Sequence, residues 1–111
     1  PVEAFGTAMQ RSPVRVVIRV KQTDSMSDAL RMEPDGKSIC LNQTTAGVTE
    51  EKDQTLSFSC DEVLVNSSQE KMFSTVGQSA AEAVLQGFHG TILCYGQTGA
   101  GKSFTMIGEN N

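Results

Sequence analysis

The residues best suited to chemistry fall late in the 111-residue chain, in Gly96-Gln-Thr-Gly-Ala-Gly-Lys102-Ser103. This is the G-x-x-x-x-G-K-[ST] spacing of a phosphate-binding loop. The apolar and β-branched run Thr91–Tyr95 before it reads as a strand, and Phe104-Thr-Met106 after it can open a helix. Gly96, Gly99 and Gly101 can take backbone angles that a side chain forbids. Successive backbone N–H groups can then point inward as a concave anion site, helped by the start of the following helix. Lys102 supplies a point charge for the β- and γ-phosphates and is the candidate catalytic residue. Ser103 supplies a hydroxyl for Mg²⁺, which keeps several waters and bridges phosphate oxygens. A plain glycine-rich turn with a solvated lysine would leave the Lys-Ser ending and the strand-turn spacing unexplained.

Composition narrows the classes. Length suits one domain with a modest core. Hydrophobic residues make up 38% of the chain, and the formal net charge is −4. That balance argues against a nucleic-acid partner, whose backbone is neutralised by many lysines and arginines. No apolar run approaches the ~20 residues of a membrane-spanning helix, so no membrane partner is expected. The first residues lack the apolar core of a secretory signal. Cys40, Cys60 and Cys94 are far apart, with no C-x-x-C or Cys/His cluster, so reduced thiols are expected and zinc is not. The single histidine, His89, lies between Gly87 and Gly90 and reads as a turn residue.

Other elements must position the loop. Residues 1–13 are polar and unpatterned and read as a flexible leader. Val14–Lys21 is rich in valine and isoleucine and predicts a strand, with Arg15, Arg19 and Lys21 at even spacing. Taken alone, it reads as a half-exposed edge strand with solvated basic residues. A polar loop over 22–28 follows. Ala29–Glu33 and Lys37–Leu41 flank Pro34-Asp35-Gly36, which predicts a hairpin. Residues 42–54 read as a surface loop. Thr55–Cys60 alternates and predicts a half-buried strand, with Asp61 as a turn residue after it.

Ser67-Ser-Gln-Glu70 predicts a capping box with Ser67 at the cap. A helix follows, with Met72, Phe73, Val76, Ala80, Ala83 and Val84 on one stripe and Gly87 as its C-terminal stop. Gly77 inside that helix finds no reason in the pattern. The order predicts an α/β fold with a parallel component.

Specific residues resemble a known family. Gly87-Phe-His-Gly-Thr-Ile-Leu-Cys-Tyr-Gly-Gln-Thr-Gly-Ala-Gly-Lys-Ser-Phe-Thr-Met106 is similar to part of the kinesin motor domain. Phe58-Ser-Cys-Asp61-Glu-Val63, Ser68-Gln69-Glu70 and Val16–Lys21 resemble its earlier segments. The Cys-Tyr before the loop looks most like the ninth kinesin family, associated with cilia and flagella. The resemblance implies a phosphate-loop NTPase-type mixed sheet flanked by helices. It implies that residues 14–111 are the N-terminal part of a motor domain, ending just after the loop, with strand edges left unpaired.

The resemblance also implies roles. Gly96, Gln97, Thr98, Gly99, Ala100, Gly101, Lys102 and Ser103 would hold the ATP phosphates and Mg²⁺. Phe104 would lie against the adenine, or else serve as a helix-face core residue. Arg19 and Lys21 fall on the Arg-x-Arg-Pro motif near the adenine. Lys21 and Gln22 depart from it, and an arginine-to-lysine change loses planar stacking. The switch segments Asn-x-x-Ser-Ser-Arg-Ser-His and Asp-Leu-Ala-Gly do not occur in the 111 residues. ATP turnover and microtubule (tubulin) binding would therefore need segments beyond these, and the 111 residues alone would turn over negligibly. The implied location is the cytoplasm and cytoskeleton, extending to the cilium or flagellum. Two alternatives stand beside the motor: a non-motile kinesin-like interaction module that binds nucleotide, and an unrelated phosphate-loop ATPase or GTPase. The lack of an Asn-Lys-x-Asp guanine-reading motif weighs against GTP.

Overall fold

A computed structural model describes residues 14–21, 29–43 and 54–109. The expected leader 1–13, the loop 22–28 and most of the loop expected over 42–54 lie outside those residues.

β1 (Val17–Val20) and β5 (Glu62–Val65) form a parallel pair, in register from Val17↔Glu62 to Val20↔Val65. β2 (Leu30–Met32), β3 (Ser38–Gln43) and β4 (Gln54–Ser59) form a separate antiparallel sheet in that order. Parallel neighbours need a long crossover; here the antiparallel sheet supplies it. The α/β class holds, but among the described residues it takes the form of two sheets and not one mixed sheet.

The hairpin forms where expected. Asp35 Oδ1 accepts from the N–H groups of Lys37 (2.8 Å) and Ser38 (2.9 Å), and its Oδ2 accepts from the Ser38 hydroxyl. These bonds hold the Asp35 carboxyl below its usual range, the Lys37 N–H contributing most. Cross-strand pairing sets Leu30, Met32, Ile39, Leu41, Leu56 and Phe58 on one face of the sheet.

β5 was not foreseen: Asp61 read as a turn residue, and no element was assigned between it and Ser67. Asp61 does stand at a bend. Its N–H donates to the Val16 carbonyl, and its Oδ2 accepts from the Val16 N–H at 2.7 Å. Those two bonds pin the start of β1 to the start of β5. Leu64, in register with Arg19, is the buried apolar residue among the described ones.

The long helix runs as α1 (Gln69–Met72), a π turn (Phe73–Gly77) and α2 (Gln78–Leu85). Its cap is one residue later than expected. The Ser68 hydroxyl accepts from the Lys71 N–H at 3.1 Å, while the Ser67 hydroxyl is buried without a partner. Ser67 is instead held by its carbonyl, which accepts from Arg19 Nη2. The π turn adds a residue to the repeat and rotates the predicted stripe. Thr75 is buried, while Phe73 and Val84 are exposed. At the far end, the Phe88 N–H donates to the Ala83 carbonyl and the Gly87 N–H to the Val84 carbonyl, with Gly87 at φ 86°. This paired closure bears out Gly87 as the stop.

Thr91–Tyr95 is not a strand. It runs exposed, with Tyr95 fully so, and no described strand lies beside it to complete a ladder. β-branched composition alone cannot hold a strand whose backbone groups have no ladder to join. The loop follows, then α3 (Lys102–Ile107). No helix among the described residues is long and apolar enough to cross a membrane.

Candidate functional site

The loop is shaped by backbone angles that disfavour side chains. Gly99 stands at φ 81° and Gly101 at φ 94°. Gly101 is also the residue before α3, with ψ 22°. The Ala100 N–H donates to the Gln97 carbonyl at 3.1 Å and closes the turn. On leaving the loop the chain enters α3 at once, because the Thr105 N–H reaches the Gly101 carbonyl at 2.9 Å.

Lys102 folds back over this turn. Its Nζ donates to the carbonyls of Gly96 and Gln97, each at 2.7 Å. An ammonium has three donors, so one is left for an incoming anion. An open pocket of about 480 Å³ is lined by Thr98, Gly99, Gly101, Lys102, Ser103 and Phe104. Ser103 is exposed at its edge. A hydroxyl is a hard oxygen donor and fits a magnesium ion held chiefly by phosphates and water. No cluster of three or more His, Cys, Asp or Glu side chains among the described residues could hold a metal by itself.

The structure joins Arg19 to Phe104. The Arg19 guanidinium lies 5.3 Å from the centroid of the Phe104 ring, within cation–π range. Its Nη1 donates to Gln69 Oε1 (2.8 Å) and Thr105 Oγ1 (2.9 Å), and its Nη2 to the Ser67 carbonyl (2.9 Å). The basic row on β1 is therefore not simply solvated. Arg15 likewise donates to the Thr75 carbonyl in the π turn at 2.5 Å and pairs with Glu62 at 3.0 Å. Lys21 stands exposed just past β1, with no hydrogen bond, ion pair or ring contact to the loop or Phe104. Phe104 is 41% exposed, so it is no core phenylalanine.

Gln69, Ser67 and Thr105 were missed as members of this cluster. The Ser67-Ser-Gln-Glu70 run was spent on helix capping, and nothing in its spacing shows that Gln69 points across to β1 and α3. Of the three cysteines, Cys40 lies within β3, Cys60 just beyond β4, and Cys94 is exposed before the loop.

Comparison with known proteins adds the family. The family model described as the kinesin motor domain matches residues 14–111. The chain is 39% identical over 103 residues to kinesin-like protein KLP1 of Chlamydomonas reinhardtii, covering 90% of this chain and 13% of that protein. It is 40% identical over 102 residues to mouse kinesin-like protein KIF9, covering 88% of this chain and 13% of KIF9. Similarity to mouse kinesin-like protein KIF15 is 35% over 102 residues, covering 88% of this chain and 7% of KIF15.

Proposed function

The chain belongs to the kinesin motor-domain family, and we propose that it forms the ATP-binding portion of a microtubule-based motor. One observation carries the reading. Lys102 is drawn over a loop with two left-handed glycines, two of its donors occupied and the third free to meet a phosphate.

In this reading the fold is of the phosphate-loop NTPase type. The backbone N–H groups of residues 96–103 take the phosphate oxygens, and Lys102 adds charge where the β- and γ-phosphates lie. Ser103 would offer its hydroxyl to Mg²⁺, which when bound would supply positive charge beside the phosphates. Arg19 and Phe104 form the surface against which the adenine rests, as their 5.3 Å approach supports. Lys21 is the weaker partner in this role, being exposed beyond β1. These residues bind and orient. Placing the attacking water requires groups outside the 111 residues, as does contact with tubulin. The chain spans 13% of the length of KLP1 and of KIF9, so hydrolysis and movement belong to the whole protein. The protein then works on the cytoskeleton in the cytoplasm. The likeness to KIF9 supports the ninth kinesin family, and through the resemblance drawn above, a place in cilia or flagella.

The test is an equilibrium titration of the full-length protein with Mg·ATP and Mg·GTP, alongside microtubule-stimulated ATPase measurements. ATP binding that outcompetes GTP, and turnover that rises with microtubules, is the expected result, both lost in Lys102→Ala. A Lys102→Ala protein with unchanged affinity and turnover would remove the loop from the mechanism.

A further inference from the structure

Gln69 has a side chain that its place in the helix does not require. It is the first residue of α1, and Ser68 already caps that helix. The carboxamide instead reaches away in two directions. Its Oε1 accepts from Arg19 Nη1 at 2.8 Å, and its Nε2 donates to the Phe104 carbonyl at 2.5 Å. A guanidinium only donates and a carbonyl only accepts. The two partners therefore fix the orientation of the amide, which cannot turn over without losing both bonds.

The Phe104 carbonyl also accepts from the Gly108 N–H at 2.9 Å, at the end of α3. Gln69 thus ties the start of one helix to the end of another, with Arg19 of β1 between them. Arg19 Nη1 is shared between Gln69 and Thr105, so losing Gln69 leaves that nitrogen with one partner. The same guanidinium faces the Phe104 ring. Gln69 has no hydrogen bond to Lys102 or Ser103 and does not line the loop's pocket.

We propose that Gln69 is a positioning residue for the base: by bridging Arg19 to the Phe104 backbone it presents the guanidinium and ring together as a preformed purine-binding surface. This rests on the reading of the loop as a triphosphate site. Preformation acts on affinity by removing the ordering that binding would otherwise require. It acts only on ligands that have a base. Glutamate keeps an oxygen toward Arg19 but has no N–H for the Phe104 carbonyl, so it restores half of the bridge.

The experiment titrates the full-length protein with Mg·ATP and, separately, with inorganic tripolyphosphate and Mg²⁺, which offers the phosphates without the base. The proteins are wild type, Gln69→Leu, Gln69→Glu, Arg19→Leu and the Gln69→Leu/Arg19→Leu double variant. Gln69→Leu should weaken ATP about tenfold, the scale of a lost hydrogen bond to a charged group. It should shift tripolyphosphate by less than about twofold on the same scale. Gln69→Glu should fall between. In the Arg19→Leu background, Gln69→Leu should leave ATP affinity nearly unchanged, because coupled residues are not additive. Equal weakening of both ligands, or an undiminished effect of Gln69→Leu without Arg19, overturns the proposal and leaves the phosphate loop standing. If wild type binds neither ligand, the triphosphate reading falls and the proposal with it.

Discussion

The ammonium of Lys102 lies 2.7 Å from the carbonyl oxygen of Gly96, six residues earlier in the chain, and so closes the loop on itself. A second bond of the same length runs to Gln97. A compact ammonium can satisfy two converging carbonyls and still donate outward. A guanidinium is planar, with donors in a fixed fork, and cannot cap the turn in the same way. Lys102→Arg should therefore fail to substitute although charge is kept. ATP affinity in the full-length protein should drop by about tenfold or more, on the scale of charge-assisted bonds. Calorimetric titration showing wild-type affinity for Lys102→Arg would mean that charge alone suffices.

Much of the candidate site was legible because its signal is local. Gly96 to Ser103 could be read from spacing, since Gly99 and Gly101 answer to left-handed angles set within the loop; Gly96, expected to do the same, takes no such angle and instead faces the Ala100 methyl. The hairpin was legible for the same reason, as Pro34-Asp35-Gly36 contains its own turn chemistry. Long-range pairing was not. β5 pairs with β1 across more than forty residues, and the clasp that fixes it is Asp61 on the Val16 backbone. The Thr91–Tyr95 run failed in the opposite sense. Its composition favours a strand, but a strand exists only where a neighbour offers a ladder. Arg19 and Phe104, 85 residues apart, were both named from family likeness, while the Gln69 that links them was not.

Gly101 tests the loop's backbone directly. At φ 94° it holds a conformation that L-residues rarely take, and no atom lies within 4 Å of where a Cβ would stand. Strain, not crowding, decides the outcome. Gly101→Ala should destabilise α3 and the loop by about 1–2 kcal/mol. Gly101→Asn should be milder, because asparagine tolerates left-handed angles better. Hydrogen exchange of the Lys102–Ile107 amides would report both, and equal protection in all three proteins would contradict the strained backbone.

Gly77 has an explanation that its sequence context hid. A Cβ at that position would stand 2.6 Å from Cδ2 of Phe73, whose ring lies across the π turn. Gly→Ala inside a helix normally stabilises by about 0.5–1 kcal/mol. Here the ring must move, but Phe73 is 58% exposed, so the cost is that of a displaced side chain, about 0.5–1.5 kcal/mol. Gly77→Ala should thus be nearly neutral in the wild-type background and stabilising once Phe73→Ala has removed the ring. Chemical denaturation of the four proteins of this cycle measures the difference. An equal change in both backgrounds would show that the ring does not exclude the Cβ.

Asp35 should give the hairpin a dependence on acid. Its carboxyl is held below the usual range by the Lys37 N–H first and the Ser38 hydroxyl next. A carboxyl depressed in the folded state adds stability above its unfolded value, near ~4, and loses it as pH falls through the folded value. Protection of the β2–β3 amides should therefore decline as pH drops below about 5, the upper edge of that titration. Asp35→Asn retains an oxygen for the Lys37 and Ser38 N–H groups but has no charge to lose. Its protection should start lower near neutral pH and fall less steeply. Hydrogen exchange of Ser38–Leu41, corrected for intrinsic rates, separates the two slopes. Parallel slopes would assign the acid sensitivity elsewhere, with Glu33 next in line: its carboxyl is lowered first by the hydrogen bond from Arg31 and then by that from the Cys40 thiol.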